Sequence, residues 1–213
     1  MTLAIHVTGD FICPWCFIGE RRLAFALARV PDDIGYNVVW HPYELNPEMP
    51  QEGLNREFYR SRKFGSWARS LELDQHTVDA GAPDGIVFNY GSIALTPNTF
   101  LAHVATAYAG LYGLQSEFVS AVLRGYFVEG RNIGNINVLS DIALEVGIER
   151  ENMHRSLLSG EADQAVRAEE NAATQAGIRG VPYFTIGTTV ISGAQSTEVL
   201  LAAILAEVGR VAA

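Results

Sequence analysis

Two cysteines, Cys13 and Cys16, are the whole thiol complement of the chain, and only Pro14 and Trp15 separate them. Thiols at this spacing can hold zinc, close a small structural disulfide, or exchange electrons. A structural zinc site needs four ligands. No further cysteine is present, and His6, His41, His76, His103 and His154 are scattered without a paired spacing, so no metal site is expected. A Cys13–Cys16 bridge would close too short a loop to add much stability. Redox chemistry fits best. Pro14 suits the first turn of a helix, where its missing N–H goes unnoticed. Cys13 then sits at the helix N-terminus, where free N–H groups and the helix dipole favour a thiolate. Cys16, one turn in, is more buried and holds its proton longer. One turn of helix also brings it close enough to attack a mixed disulfide on Cys13. Cys13 is the expected nucleophile and Cys16 the resolving thiol.

Other side chains around this pair carry weaker signals. Asp10 can tune the thiols or pass a proton, although an acid in a turn is also an ordinary turn former. Glu44 follows the second strand and is expected near the buried thiol. His103 lies among apolar helical neighbours and reads as a structural histidine, with a substrate contact as the sharper alternative. Phe17, Trp15 and Tyr183 are expected to form an apolar rim for peptide or aromatic ligands. Arg131 reads as a salt-bridged or solvated arginine, and Trp40 and Trp67 as packing residues.

Positioning the dithiol takes a strand, a turn and a helix. Leu3 to Thr8 has the pattern of a buried strand, Gly9-Asp10 of a turn, and Leu23, Leu27 and Val30 recur at helical spacing. Tyr36 to Tyr43 is rich in β-formers and reads as a second strand. The chain therefore opens as βαβ, with the cysteines at the carboxyl end of the first strand. Residues 51–177 are mostly helical in period: Asn55–Leu71, Asp74–Ala80, Asn98–Tyr112, Ser116–Val128, Val138–Val146 capped by Asn135, Glu151–Leu158 and Glu161–Ala176. Gly177 is a natural left-handed stop for the last of these, and Ala82–Leu95 reads as loop. The end of the chain is ββα: Tyr183–Ile186, Thr189–Ile191, then a helix over Thr197–Val208 with Ser196 as its cap. Neither terminal segment can bury both its faces alone, so the two must share one sheet. The expected organisation is α/β: a discontinuous domain, residues 1–50 and 178–213, interrupted by a helical insertion over 51–177.

Composition narrows the function classes. The chain has 213 residues, 48% of them hydrophobic and 18% charged, which excludes a disordered or disulfide-stapled scaffold. Fifteen basic against 24 acidic residues leave a net charge of −9. No basic stripe is present, and nucleic acid is not an expected partner. The densest basic stretch, Arg56, Arg60, Arg62, Lys63 and Arg69, has the spacing of the wet face of a helix. Apolar runs are too short to cross a membrane and no signal-peptide pattern opens the chain, so a cytoplasmic setting is expected. A homodimer is compatible with these features, though no exposed apolar helix marks an interface.

The segment Asp10-Phe-Ile-Cys-Pro-Trp-Cys-Phe-Ile-Gly19 resembles the active-site segment of the DsbA-like oxidoreductases of thioredoxin fold, in particular their FrnE-type subgroup. Further segments carry the resemblance along the chain: Asn98-Thr-Phe-Leu-Ala-His103, Glu129-Gly-Arg-Asn-Ile-Gly134, Gly180-Val-Pro-Tyr-Phe184 and Ser192-Gly-Ala-Gln195. Asn132 stands where an aspartate is common in the family. The resemblance implies a thioredoxin fold split by a helical insertion. It also implies a cis peptide before Pro182, which leaves the backbone of Val181 beside the cysteines to dock a substrate chain, and it draws in His103, Tyr183 and Gln195 as substrate-side residues. No bound cofactor is implied beyond the Cys13–Cys16 couple, with glutathione as a co-substrate for it. The competing reading is a glutathione-dependent isomerase or transferase of the 2-hydroxychromene-2-carboxylate isomerase or kappa class, or an accessory enzyme of polyketide biosynthesis. Those isomerases resemble this architecture but carry serine at the position of Cys13.

Overall fold

The computed structural model describes residues 2–211. Its main sheet has four strands in the order β2-β1-β5-β6. Strand β1 (Thr2–Gly9) lies at the centre of the fold, with Ile5 and Val7 fully buried. It is parallel to β2 (Gly35–Pro42), from Thr2 opposite Gly35 to Gly9 opposite Pro42. On its other side β5 (Tyr183–Ile186) runs antiparallel, with Val7 opposite Phe184 and Thr8 opposite Tyr183. A tight turn then returns β6 (Thr189–Ser192) along β5. The first and last segments of the chain thus share one sheet.

The parallel pair β1–β2 is joined by helix α1 (Pro14–Leu27), which packs against the C-terminal helix, the fifteen-residue element Thr197–Val211. Ser196 caps that helix by accepting from the Val199 N–H. Between β2 and β5 the chain forms helices α2 (Arg56–Phe64), α3 (Trp67–Gly81), α4 (Phe100–Gly110), α5 (Gln115–Phe127), α6 (Ile136–Glu145), α7 (Arg150–Ser159) and α8 (Asp163–Gln175). The fold is a thioredoxin-like mixed sheet carrying a large helical part.

Two local features depart from the sequence reading. The stretch expected as one helix over Asn55–Leu71 is broken. Gly65 takes a φ of 92°, a left-handed conformation that closes α2, and the Ser66 hydroxyl accepts from the Arg69 N–H to start α3. The expected short helix Asp74–Ala80 is the second half of α3. The expected loop before Asn98 ends in a two-residue strand, β4 (Leu95–Thr96), which pairs with β3 (Leu54–Asn55).

Core packing joins the two parts. Phe17 on α1 stacks on Phe127 of α5 at 5.8 Å, and Phe88 meets both rings edge-on. Phe17 was expected at a substrate rim, but it is 2% exposed and belongs to the core. Its position one residue past Cys16 turns it toward the helical part, away from solvent. Among the described residues no helix is long and apolar enough to cross a membrane.

Candidate active site

The site forms where β1 ends. Gly9 gives a close approach: a Cβ there would stand 3.3 Å from the Cys16 sulfur. Asp10 follows, its carbonyl accepting from the Cys13 N–H at 3.1 Å, and this turn delivers Cys13 to the N-cap of α1. Pro14 occupies the first turn, which holds no acidic residue to oppose a sulfur anion at the helix end. The Cys13 carbonyl accepts from the Cys16 N–H at 3.0 Å, so both thiols ride on the opening turn. They are unbridged.

The two sulfurs meet different surroundings. Cys13 lies 3.5 Å from the carbonyl oxygen of Val181, and the Val181–Pro182 peptide is cis. Cys16 is 2% exposed and receives the backbone N–H of Asp10 at 3.5 Å. Burial, reinforced by the hydrogen bond and charge of neighbouring Cys13, pushes the Cys16 thiol well above its ordinary range.

Behind Cys16 stands a buried polar cluster. One Asp10 oxygen accepts from the Leu45 N–H at 2.7 Å. The other lies 3.6 Å from His103 Nε2, beyond hydrogen-bond distance, and both of these buried atoms lack a partner. The His103 ring leans on Phe11 at 5.0 Å. His103 is therefore neither a fully satisfied structural residue nor exposed to a substrate on the Cys13 side. Glu44 joins this cluster: burial, then the nearby Glu170, raises its carboxyl to about 7. A cavity of about 170 Å³ reaches Cys16 from this side, lined by Asp10, His41, His103 and Glu169 among others.

A second cavity, of about 330 Å³, lies on the other side and is lined by Cys13, Pro14 and Trp15 together with α2, α3 and Tyr126. Trp15 is 40% exposed at its edge. This cavity corrects the reading of the basic stretch. Arg56 is buried, pairs with Asp74 at 2.6 Å, and lies over the rings of Trp67 and Tyr90. Arg60 also reaches Asp74, at 2.7 Å. Only Arg62 and Arg69 keep the expected wet face, while the exposed Lys63 reaches round to the cavity wall. Glu170, Arg56, Arg60 and Asp74 were not singled out as site residues. They come from helices whose mutual placement no local spacing encodes.

Tyr183 and Gln195 lie on β5 and in the loop after β6. Tyr183 is half-buried on β5, opposite Ser192. Gln195 is exposed and bonds its own loop through the Ser192 carbonyl. Arg131 pairs with Glu129 and Glu145, and Trp40 is core, both in line with the sequence reading.

Residues 4–205 match the DSBA-like thioredoxin domain family. The chain belongs to that family. It is 32% identical over 206 residues to an uncharacterized protein of Bacillus subtilis, YwbO, covering 96% of each chain. It is similar to the crystal structure of a probable DsbA oxidoreductase from Streptomyces coelicolor, with a TM-score of 0.86, 26% identity, and coverage of 97% of this chain and 90% of that one. A cytosolic disulfide reductase from Pseudomonas aeruginosa, DsbM, solved with GSH, shares the fold at 19% identity with a TM-score of 0.65, over 98% of this chain and 97% of that one.

Proposed function

We propose that this DsbA-like chain is a thiol–disulfide oxidoreductase that exchanges disulfides with protein or small thiol substrates through Cys13 and Cys16. The observation that carries this reading is the unequal setting of two thiols on one helical turn. Both are buried, but Cys13 faces the larger cavity and a backbone carbonyl, whereas Cys16, one turn deeper, is held protonated by burial and by the neighbouring Cys13. An incoming disulfide is attacked by Cys13, which keeps one half as a mixed disulfide and releases the other as a thiolate. Cys16 then gives up its proton, attacks the Cys13 sulfur and releases the second half, leaving the Cys13–Cys16 disulfide. The reverse sequence reduces the protein and oxidises the substrate. With no third cysteine, the couple is reset by another molecule.

Around this core, Asp10 holds the turn and places an acid beside the resolving thiol, and Pro14 and Trp15 set the helix start and one cavity edge. Val181 and Pro182 present the backbone against which a substrate segment docks. Glutathione is a fitting small co-substrate, in keeping with the GSH in the Pseudomonas structure, and that reductase also supports a cytosolic setting. The working unit is the discontinuous domain of residues 1–50 and 178–213, with 51–177 as the helical insertion. The isomerase reading is not favoured, because Cys13 stands where those enzymes are expected to carry serine and Cys16 adds a resolving thiol they do not need.

The test is turnover. The protein should catalyse reduction of insulin by a small dithiol, and Cys13→Ser should abolish it. Cys16→Ser should instead accumulate a mixed disulfide on Cys13, visible as added mass. Turnover that survives in Cys13→Ser would remove Cys13 as the nucleophile.

A further inference from the structure

The cavity that borders Cys13 has an unusual charge for this protein. The chain carries a net charge of −9, so a typical surface cleft on it repels anions. This cavity is lined by three cations, Arg56, Arg60 and Lys63, against one carboxylate, Asp74, an excess of two positive charges. Asp74 is occupied by both arginines and has little negative field left for a ligand. The phenols of Tyr90 and Tyr126 are held neutral, their ionisation pushed up by burial, and add no negative charge.

The hydrogen-bonding groups also point one way. Lys63 Nζ donates to Asn46 Oδ1 at 2.9 Å and to the Tyr59 hydroxyl at 2.7 Å, and Tyr59 donates to the same Asn46 oxygen. These bonds hold the Lys63 ammonium at the cavity wall, since Asn46 and Tyr59 line it too. A carboxylate is the ligand group that would meet the excess of cations. The volume, about 330 Å³, lies at the small end of ordinary ligand pockets and fits a compact molecule better than a folded protein surface.

We infer that the cavity beside Cys13 selects low-molecular-weight disulfides that carry a carboxylate, which Lys63 and Arg60 hold while the sulfur meets Cys13. The inference rests on the thiol-exchange reading above and narrows its substrate class. In the step itself, the Cys13 thiolate forms a bond to one ligand sulfur as the ligand S–S bond breaks, and half of the ligand leaves as a thiolate. Cys16 loses its proton to solvent and displaces the second half. The protein is oxidised by two electrons and the ligand is reduced to two thiols.

The experiment mixes the pre-reduced protein with two aromatic disulfides, dianionic dithiobis(nitrobenzoate) and neutral dithiodipyridine. Each rate is divided by that of free dithiothreitol with the same reagent, which removes intrinsic reactivity. The wild-type protein should prefer the dianion by about tenfold, equivalent to about 1.4 kcal/mol, and about 0.5 M salt should compress that ratio by screening. Lys63→Glu should erase or invert it. Arg62→Glu makes the same change in net charge on an exposed part of α2 outside the cavity, and should leave the ratio unchanged. Reaction with both reagents but no preference for the dianion overturns the inference and leaves the thiol-exchange reading standing. Equal losses in the two charge reversals overturn it as well, because bulk charge then suffices. Failure to react with either reagent sinks the thiol-exchange reading, and this inference with it.

Discussion

Cys13 and Cys16 differ by one helical turn, yet the fold gives them different surroundings. Cations and phenols line the cavity on the Cys13 side, while Asp10, Glu44 and Glu170 gather behind Cys16. Burial dominates at Cys16, so in a Cys13→Ser variant its thiolate absorbance should appear only well above the pH at which free cysteine ionises. A midpoint at the free value would mean that the buried setting is wrong. Glu44 offers a second test. Its folded-state value of about 7 lies above the ordinary 4.5, so between these limits the folded chain holds more protons than the unfolded one. The protonated form is the stable one in the fold, and its contribution is lost as pH rises from about 4.5 to 7. Glu44→Gln keeps the neutral form throughout. Its stability relative to wild type should rise between pH 5 and pH 8, by on the order of 1 kcal/mol once partial exposure is discounted. Denaturant titrations at the two pH values measure this, and a constant difference would contradict it. At this scale the sequence was legible where chemistry is local. C-P-W-C at a strand-to-helix turn declares itself, whereas Glu170 meets Glu44 only because α8 packs near the end of β2.

At the scale of elements, the contact between α1 and the segment before β5 sets the distance from Cys13 to Val181. Gly19 makes that contact possible. An added Cβ would lie 2.9 Å from Pro182 Cγ and 3.1 Å from Phe184 Cζ, and the proline ring has little freedom to yield. Gly19→Ala gains helix propensity, worth about 1 kcal/mol, but overpacks the junction. The expected net result is a loss of about 1–3 kcal/mol together with slower exchange, because the Pro182 segment must move off Cys13. Thermal unfolding and the insulin assay measure the two effects, and wild-type behaviour in both would refute the contact. The strands β1, β2, β5 and β6 and helix α1 were readable because each is a run of β-formers or a helical repeat bounded by turn residues. The break between α2 and α3 was not, because a lone Gly65 inside a helical pattern is tolerated in many helices. Only its left-handed φ and the Ser66 cap turn it into a stop.

At the scale of the whole molecule, one side chain ties three distant stretches together. Arg22 on α1 donates to Asp84 Oδ2 at 2.7 Å, to the Ala80 carbonyl at 2.9 Å and to the Ala194 carbonyl at 2.8 Å. It links the helix bearing the cysteines to the helical part and to the loop before the C-terminal helix. Arg22→Met keeps much of the aliphatic stem but strands a half-buried carboxylate and two carbonyls. The expected cost is about 2 kcal/mol, read as a lower urea midpoint with an unchanged slope. A change in slope instead would show the two parts unfolding separately.

The sequence by itself located the thiol pair and the two ends of the fold. A thiol pair at a helix start, a βαβ opening and a ββα close are local patterns, each written in consecutive residues. Tertiary structure alone decided what surrounds each sulfur. It turned Phe17 inward to the aromatic core, drew Arg56 and Arg60 from an apparent wet face into a cavity wall, and brought Glu170 up to Glu44 behind Cys16. The reason is physical: local pattern reports which face of an element is apolar, whereas charge and burial at a site depend on which faces of distant elements meet there.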